Sequence, residues 1–164
     1  MRLPVAISTI LLASLSLNAP VLSDQPIQVV QAPTSTRFNW EKLKINHRLW
    51  RGQNISNYRY EFTRSCNCLP KATAPVIIEV RNGITTSITD KETGKPADAA
   101  LFQRYKTIPK LFYVIKDALV RRAANLTVEY DPVLHYPTQI NIDYNNKITD
   151  DEIFITISNL EKIK

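Results

Sequence analysis

Glycine is scarce, with three in 164 residues. Phosphate-cradling loops and the Gly-x-Ser-x-Gly elbow of serine hydrolases need glycine at fixed spacing, where backbone must approach a ligand or turn with positive φ. Neither pattern occurs. Cysteine and histidine are almost as rare, with two of each. Cys66 and Cys68 supply half a tetrahedral zinc site, and His47 and His135 stand at no ligand spacing from them, so neither a metal nor a cofactor is expected. No apolar run reaches the ~20 residues a helix needs to cross a bilayer.

The longest apolar run, Leu3 to Leu17, is roughly 15 residues and is broken near its start by Pro4. It follows Met1-Arg2 and leads to Val21-Leu22-Ser23 before Asp24, the layout of a secretory signal peptide cut near Ser23-Asp24. The expected product is exported, periplasmic or extracellular, with no transmembrane anchor. Removal of Arg2 leaves 20 basic residues against 15 acidic, a net charge of +5. The charges are scattered, the longest basic pair in the mature chain being Arg121-Arg122. Binders of nucleic acid or anionic membranes usually concentrate charge, so nucleic acid is not an expected partner. About 140 mature residues suit one domain with one core.

Residues 24–37 are rich in Pro, Gln, Ser and Thr without a sustained period, and read as a flexible leader before a single domain over 38–164. Trp40, Leu43, Ile45, Leu49 and Trp50 predict a short amphipathic helix entered at Asn39 as N-cap and closed by Gly52. Tyr58, Tyr60 and Phe62 then alternate with polar residues, as a half-buried strand requires. Val76, Ile78 and Val80 precede Asn82-Gly83, a type I′ turn pair, and Ile84, Thr86 and Ile88 continue the hairpin. Helical spacing returns at Ile108, Leu111, Phe112, Ile115 and Leu119, with Pro109 tolerated in the first turn. Ala97 to Tyr105 can add a shorter helix. Three strands close the chain, with inward sets Leu126, Val128, Tyr130, then Ile140, Ile142, Tyr144, then Ile153, Ile155, Ile157, the last two joined through Asn145-Asn146-Lys147. The class is α+β: an antiparallel sheet of about six strands with helices on one face, in the order α-βββ-α-βββ.

Tyr58-Arg59-Tyr60, Cys66-Asn67-Cys68, Asn82-Gly83, Leu111-Phe112, Tyr130-Asp131, Tyr136-Pro137, Ile142-Asp143-Tyr144 and Asp150-Asp151-Glu152 follow one another in an order that resembles a family of small exported bacterial proteins, the domain of unknown function DUF6174. The resemblance covers most of 40–160 and implies architecture but no reaction. Two departures stand out. His135 occupies the place before Tyr136-Pro137 where Gly is looked for, and the lipid-attachment cysteine associated with many exported relatives is missing.

Cys66 and Cys68 are expected to bridge in an oxidising compartment, an exchange-active redox pair being the alternative. Two extended residues would separate their Cα atoms by roughly 6.6 Å, close to the ~6.8 Å limit, so the chain must bend at Asn67. Closing so small a loop contributes only ~1.6 kcal/mol in the chain-entropy account. Asp143, Asp150, Asp151 and Glu152 could offer oxygen ligands to a hard cation, but an EF-hand loop fails because Lys147, Ile148 and Phe154 fall at its ligand, glycine and closing-glutamate positions. A solvated turn is the expected reading. Arg48, Trp50, Arg51, Tyr58, Arg59, Tyr60 and Arg64 interleave cations with aromatics, yet Tyr58 and Tyr60 belong to a buried face. Arg59, Glu61, Thr63, Glu79, Arg81, Glu129, Asp131, Asn141 and Asp143 should point outward.

The expected function is a non-enzymatic exported module that binds a protein or cell-envelope component through its open sheet face or the Cys66–Cys68 loop. The alternative is a thiol-disulfide or hydrolytic enzyme using those cysteines or the late acidic cluster.

Overall fold

Alternating apolar residues dominate the strands, and the sheet they form in the computed structural model, which describes residues 34–145 and 152–164, is antiparallel throughout. The expected signal segment, most of the expected leader and the turn after Asn145 lie outside the described residues. The elements are α1 (Thr34–Gly52), β1 (Tyr58–Ser65), a one-turn α2 (Pro70–Thr73), β2 (Val76–Arg81), β3 (Ile84–Asp90), a 3-10 turn (Ala99–Phe102), α3 (Ile108–Val120), β4 (Asn125–Tyr130), β5 (Pro137–Asp143) and β6 (Ile153–Lys162). Their order matches the α-βββ-α-βββ expectation, with α2 and the 3-10 turn added.

Six strands lie in the order β3-β2-β1-β6-β5-β4. Two three-stranded meanders therefore meet through β1 and β6, the first and last of the described strands. One face of every strand turns to the helices: Tyr58, Tyr60 and Phe62; Val76, Ile78 and Val80; Ile140 and Ile142; Ile155 and Ile157 are all buried. Ile108, Leu111, Phe112, Ile115 and Leu119 of α3 meet them from above, as the helical spacing predicts. Thr107 caps α3 by accepting a hydrogen bond from the Lys110 N–H, and Pro109 sits in the first turn, where its missing donor has no consequence.

Two elements depart from their expected faces. Helix α1 begins at Thr34, five residues before Asn39, so Asn39 is no N-cap; its side-chain amide instead donates to the Leu126 carbonyl oxygen at 2.9 Å. Trp40, Leu43, His47 and Trp50, at i, i+3, i+7 and i+10, form the inward stripe, and at 100° per residue Ile45 and Leu49 cannot share it. They point outward. In β3, Ile88 is buried but Ile84 and Thr86 are exposed. The pairings Glu79 with Ser87 and Val80 with Thr85 leave Thr86 as an extra bulged residue, which reverses the faces beyond it. The turn itself is as predicted: Asn82 and Gly83 have φ of 50° and 75°.

Candidate functional site

Cys66 and Cys68 lie at disulfide distance, with Cα atoms 5.3 Å apart, less than extended backbone allows. The bend falls at Asn67, where the Cys68 N–H donates to the Cys66 carbonyl oxygen at 2.8 Å. Arg64 holds the following turn, donating to the Ala72 carbonyl oxygen at 2.9 and 3.2 Å while its guanidinium stacks 5.0 Å from the Tyr105 ring centre. Arg64 is thus a structural cation. Tyr58 and Tyr60 are equally committed: the Tyr58 hydroxyl accepts the Ile108 N–H at 3.1 Å, and the Tyr60 hydroxyl donates to the Tyr105 carbonyl oxygen at 2.7 Å. Burial pushes the Tyr58 phenol up to about 12 and Tyr60 well above its usual value. The interleaved aromatic and basic run therefore presents no stacking surface.

Of the acidic set, Asp143 accepts the Asn145 N–H at 2.9 Å. Glu152 is exposed, and Asp150 and Asp151 fall outside the described residues. Among the described residues no three His, Cys, Asp or Glu side chains gather as a metal site would need.

The open sheet face is mostly polar, as the alternation predicts, with Phe154 exposed on it, and three of its cations are held in ion pairs. Arg59 reaches Glu161 at 2.8 Å, Arg81 reaches Glu79 at 2.7 Å, and Lys91 reaches Glu61 at 2.7 Å. Lys91, Asn159 and Ser158 hold Glu61 below the usual carboxylate range, and Thr93 and Glu92 do the same for Asp90. A general acid needs the opposite displacement.

The helical layer is different. Phe38, Ile45 and Leu49 are 54%, 48% and 40% exposed, and their spacing of seven and four residues lines them along the side of α1 opposite the buried stripe. Tyr113 and Val120, 64% and 62% exposed, repeat the arrangement on α3. Around them stand Arg37, Lys42, Lys44, Arg48 and Arg51 on α1, against Glu41 alone. Arg37 is within 3.4 Å of Glu41, and Arg104 and Arg121 share Asp117 at 2.8 and 3.7 Å. Among the described residues Lys44, Arg48, Arg51 and Lys116 have no carboxylate partner. An open groove of about 570 Å³ runs beside α3, bordered by Arg104, Lys110, Tyr113 and Lys116. His47 lies at the junction of the two helices with its ring centre 4.7 Å from that of Phe112. Burial, then the Arg51 and Lys116 charges, hold its pKa below the ordinary 6.5.

Comparison with sequence families matches residues 42–162 to a family of unknown function, DUF6174. The chain belongs to that family. No curated protein and no solved structure matches it. The DUF6174 match runs from within α1 to the end of β6 and so takes in the whole sheet and α3. One departure noted in the sequence gains a reason: His135 has φ of 65°, in the left-handed region that glycine enters most easily. It is held there by a tight loop in which Asp131 accepts the N–H groups of Val133 and Leu134, and the His135 N–H returns to the Asp131 carbonyl oxygen.

Sequence reasoning overlooked the layer's outer side because it put Ile45 and Leu49 in one helix face with Trp40, Leu43 and Trp50 and started the helix after Phe38. The signal was present. Residues 34–52 hold five cations and one acid, with Phe38, Ile45 and Leu49 out of phase with Leu43 and Trp50.

Proposed function

We propose that this chain is an exported, non-enzymatic binding module whose contact surface is the outer side of the α1 and α3 layer. The observation that carries this reading is the second apolar stripe, Phe38, Ile45 and Leu49, opposite the one that packs into the core. Folding needs one apolar face per helix, so the second is unexplained by the fold. On the sheet side, by contrast, Arg59, Arg81 and Lys91 are each paired with a glutamate. Export rests on the pattern of residues 1–23.

The test is thiol labelling of Leu49→Cys and Thr127→Cys variants, in the cells that make the protein and after purification. Thr127 is exposed on edge strand β4, on the open sheet face. The reading expects Leu49→Cys to be shielded in cells and both positions to label alike when purified. Equal labelling in cells overturns it, and recovery of the protein only from cytosol overturns export.

A further inference from the structure

From the charge and apolar pattern of the helical layer we infer that this layer docks face-down on an anionic phospholipid surface, an assignment that rests on the binding reading above and gives its partner a chemistry. Residues 34–52 and 108–122 carry nine Lys and Arg against two carboxylates, Glu41 and Asp117, a net +7. The whole chain carries +6, so the remainder sums to −1. The entire basic excess lies on one layer, drawn from two segments that are far apart in the sequence. A layer charged in this way is drawn to negative headgroups.

The apolar residues fit the same surface. Helices that lie in a membrane interface turn Phe, Leu and similar residues to the acyl boundary and keep Lys and Arg beside them. On α1 the 100° step places Lys42 about 40° from the centre of the outward stripe on one side and Arg48 about 80° from it on the other, with Lys44 and Arg51 further round beside His47. Long basic stems let their charged ends reach phosphates while Phe38, Ile45 and Leu49 enter the boundary. A protein partner of ordinary kind would call for a contiguous apolar centre depleted of charge. Here the apolar groups form a narrow row a turn or more apart, with Lys42 between Phe38 and Ile45 and Arg48 beside Leu49, a pattern that fluid headgroups accommodate without shape matching.

The experiment attaches a polarity-sensitive fluorophore to Leu49→Cys or Thr127→Cys in the full chain, and adds phosphatidylcholine vesicles with or without phosphatidylglycerol. Whatever residues 1–23 contribute is then common to every sample. The Leu49 probe should shift to the blue only with phosphatidylglycerol, the Thr127 probe should not move, and raised salt should reverse the shift. Each cation near an anionic surface contributes about five-fold, so Lys44→Gln, Arg48→Gln and Arg51→Gln together should weaken binding about 100-fold. Phe38→Gln with Ile45→Gln, which keeps the charge, should also weaken it, by about ten-fold or more. These side chains are exposed, and unchanged circular dichroism melts verify that each variant folds.

An unmoved Leu49 probe on anionic vesicles at low salt overturns the inference, as does equal binding by the triple variant. Binding to soluble polyphosphate without a probe shift on vesicles also overturns it, in favour of a dissolved polyanion. Should Leu49→Cys stay shielded in cells while vesicles fail to bind, the lipid assignment alone falls. Equal labelling in cells removes the underlying reading instead.

Discussion

Tyr60 and Tyr130 each carry a hydroxyl into the covered side of the sheet, and among the described residues only the first finds a partner. Tyr60 donates to the Tyr105 carbonyl oxygen at 2.7 Å, whereas the Tyr130 hydroxyl is buried without a hydrogen bond to any described residue while its ring stacks 6.2 Å from Phe112. An unsatisfied buried polar group costs about 1–3 kcal/mol, and a made bond leaves its acceptor orphaned when the donor is removed. Tyr60→Phe should therefore lower stability by about 1–3 kcal/mol, while Tyr130→Phe should raise it by about 1 kcal/mol. Urea denaturation of the two variants beside the parent measures both signs. Alternation in the sequence was enough to turn both rings inward. It could not foretell the difference, because the acceptor for Tyr60 lies 45 residues away in a segment that only the fold brings near.

At the scale of elements, strands with unbroken alternation were legible: 58–62, 76–80, 140–142 and 155–157 bury the residues their period selects. β3 was less so, since a bulge at Thr86 leaves no mark in the alternation it disrupts. α1 was misread because six apolar side chains offer two stripes, and only packing decides which is covered. The covered stripe includes His47, with a consequence for pH dependence. Its folded pKa lies below 6.5, so on acidification the unfolded chain takes up a proton before the folded one does. The contribution is therefore complete above pH 6.5 and is lost as the pH falls below that value toward the folded pKa. Denaturation midpoints between pH 8 and pH 5 should show this decline, and His47→Gln should flatten it while lowering stability at pH 8 through the lost contact with Phe112. The Cys66–Cys68 loop is the opposite case, an element whose removal should matter little. Its closure contributes only about 1.6 kcal/mol, and Arg64 anchors the adjoining turn without it. Cys66→Ser with Cys68→Ser should keep the parent's circular dichroism spectrum and lower stability by no more than about 2 kcal/mol. Insulin-reducing activity present in the parent and absent from that variant would support a redox role instead.

The order of strands in the whole molecule decides how its parts depend on one another. β1 and β6 pair at the centre of the sheet, from Tyr58 opposite Lys162 to Ser65 opposite Phe154, and β6 also pairs with β5 through Ile155 and Ile153. The class and element order were readable from local periods, but this join was not, because each meander is consistent with the sequence whichever edge it offers. With β6 in place, one buried cluster runs from Val80 on the first meander to Val128 on the second, under Trp50 and Ile115. Without it, β1 and β5 would each present an open edge, and the two meanders would share only the helices above them. A chain ended after Asn145 should therefore fail to fold rather than lose a dispensable edge, and should show neither native circular dichroism nor a cooperative melt. For the intact chain the same reasoning expects a single transition. Trp40 and Trp50 report on the helical layer and far-ultraviolet circular dichroism on the backbone as a whole, so their urea curves should coincide. Separate midpoints would mean that the meanders fold independently, and the central pair could not then be what makes them one unit.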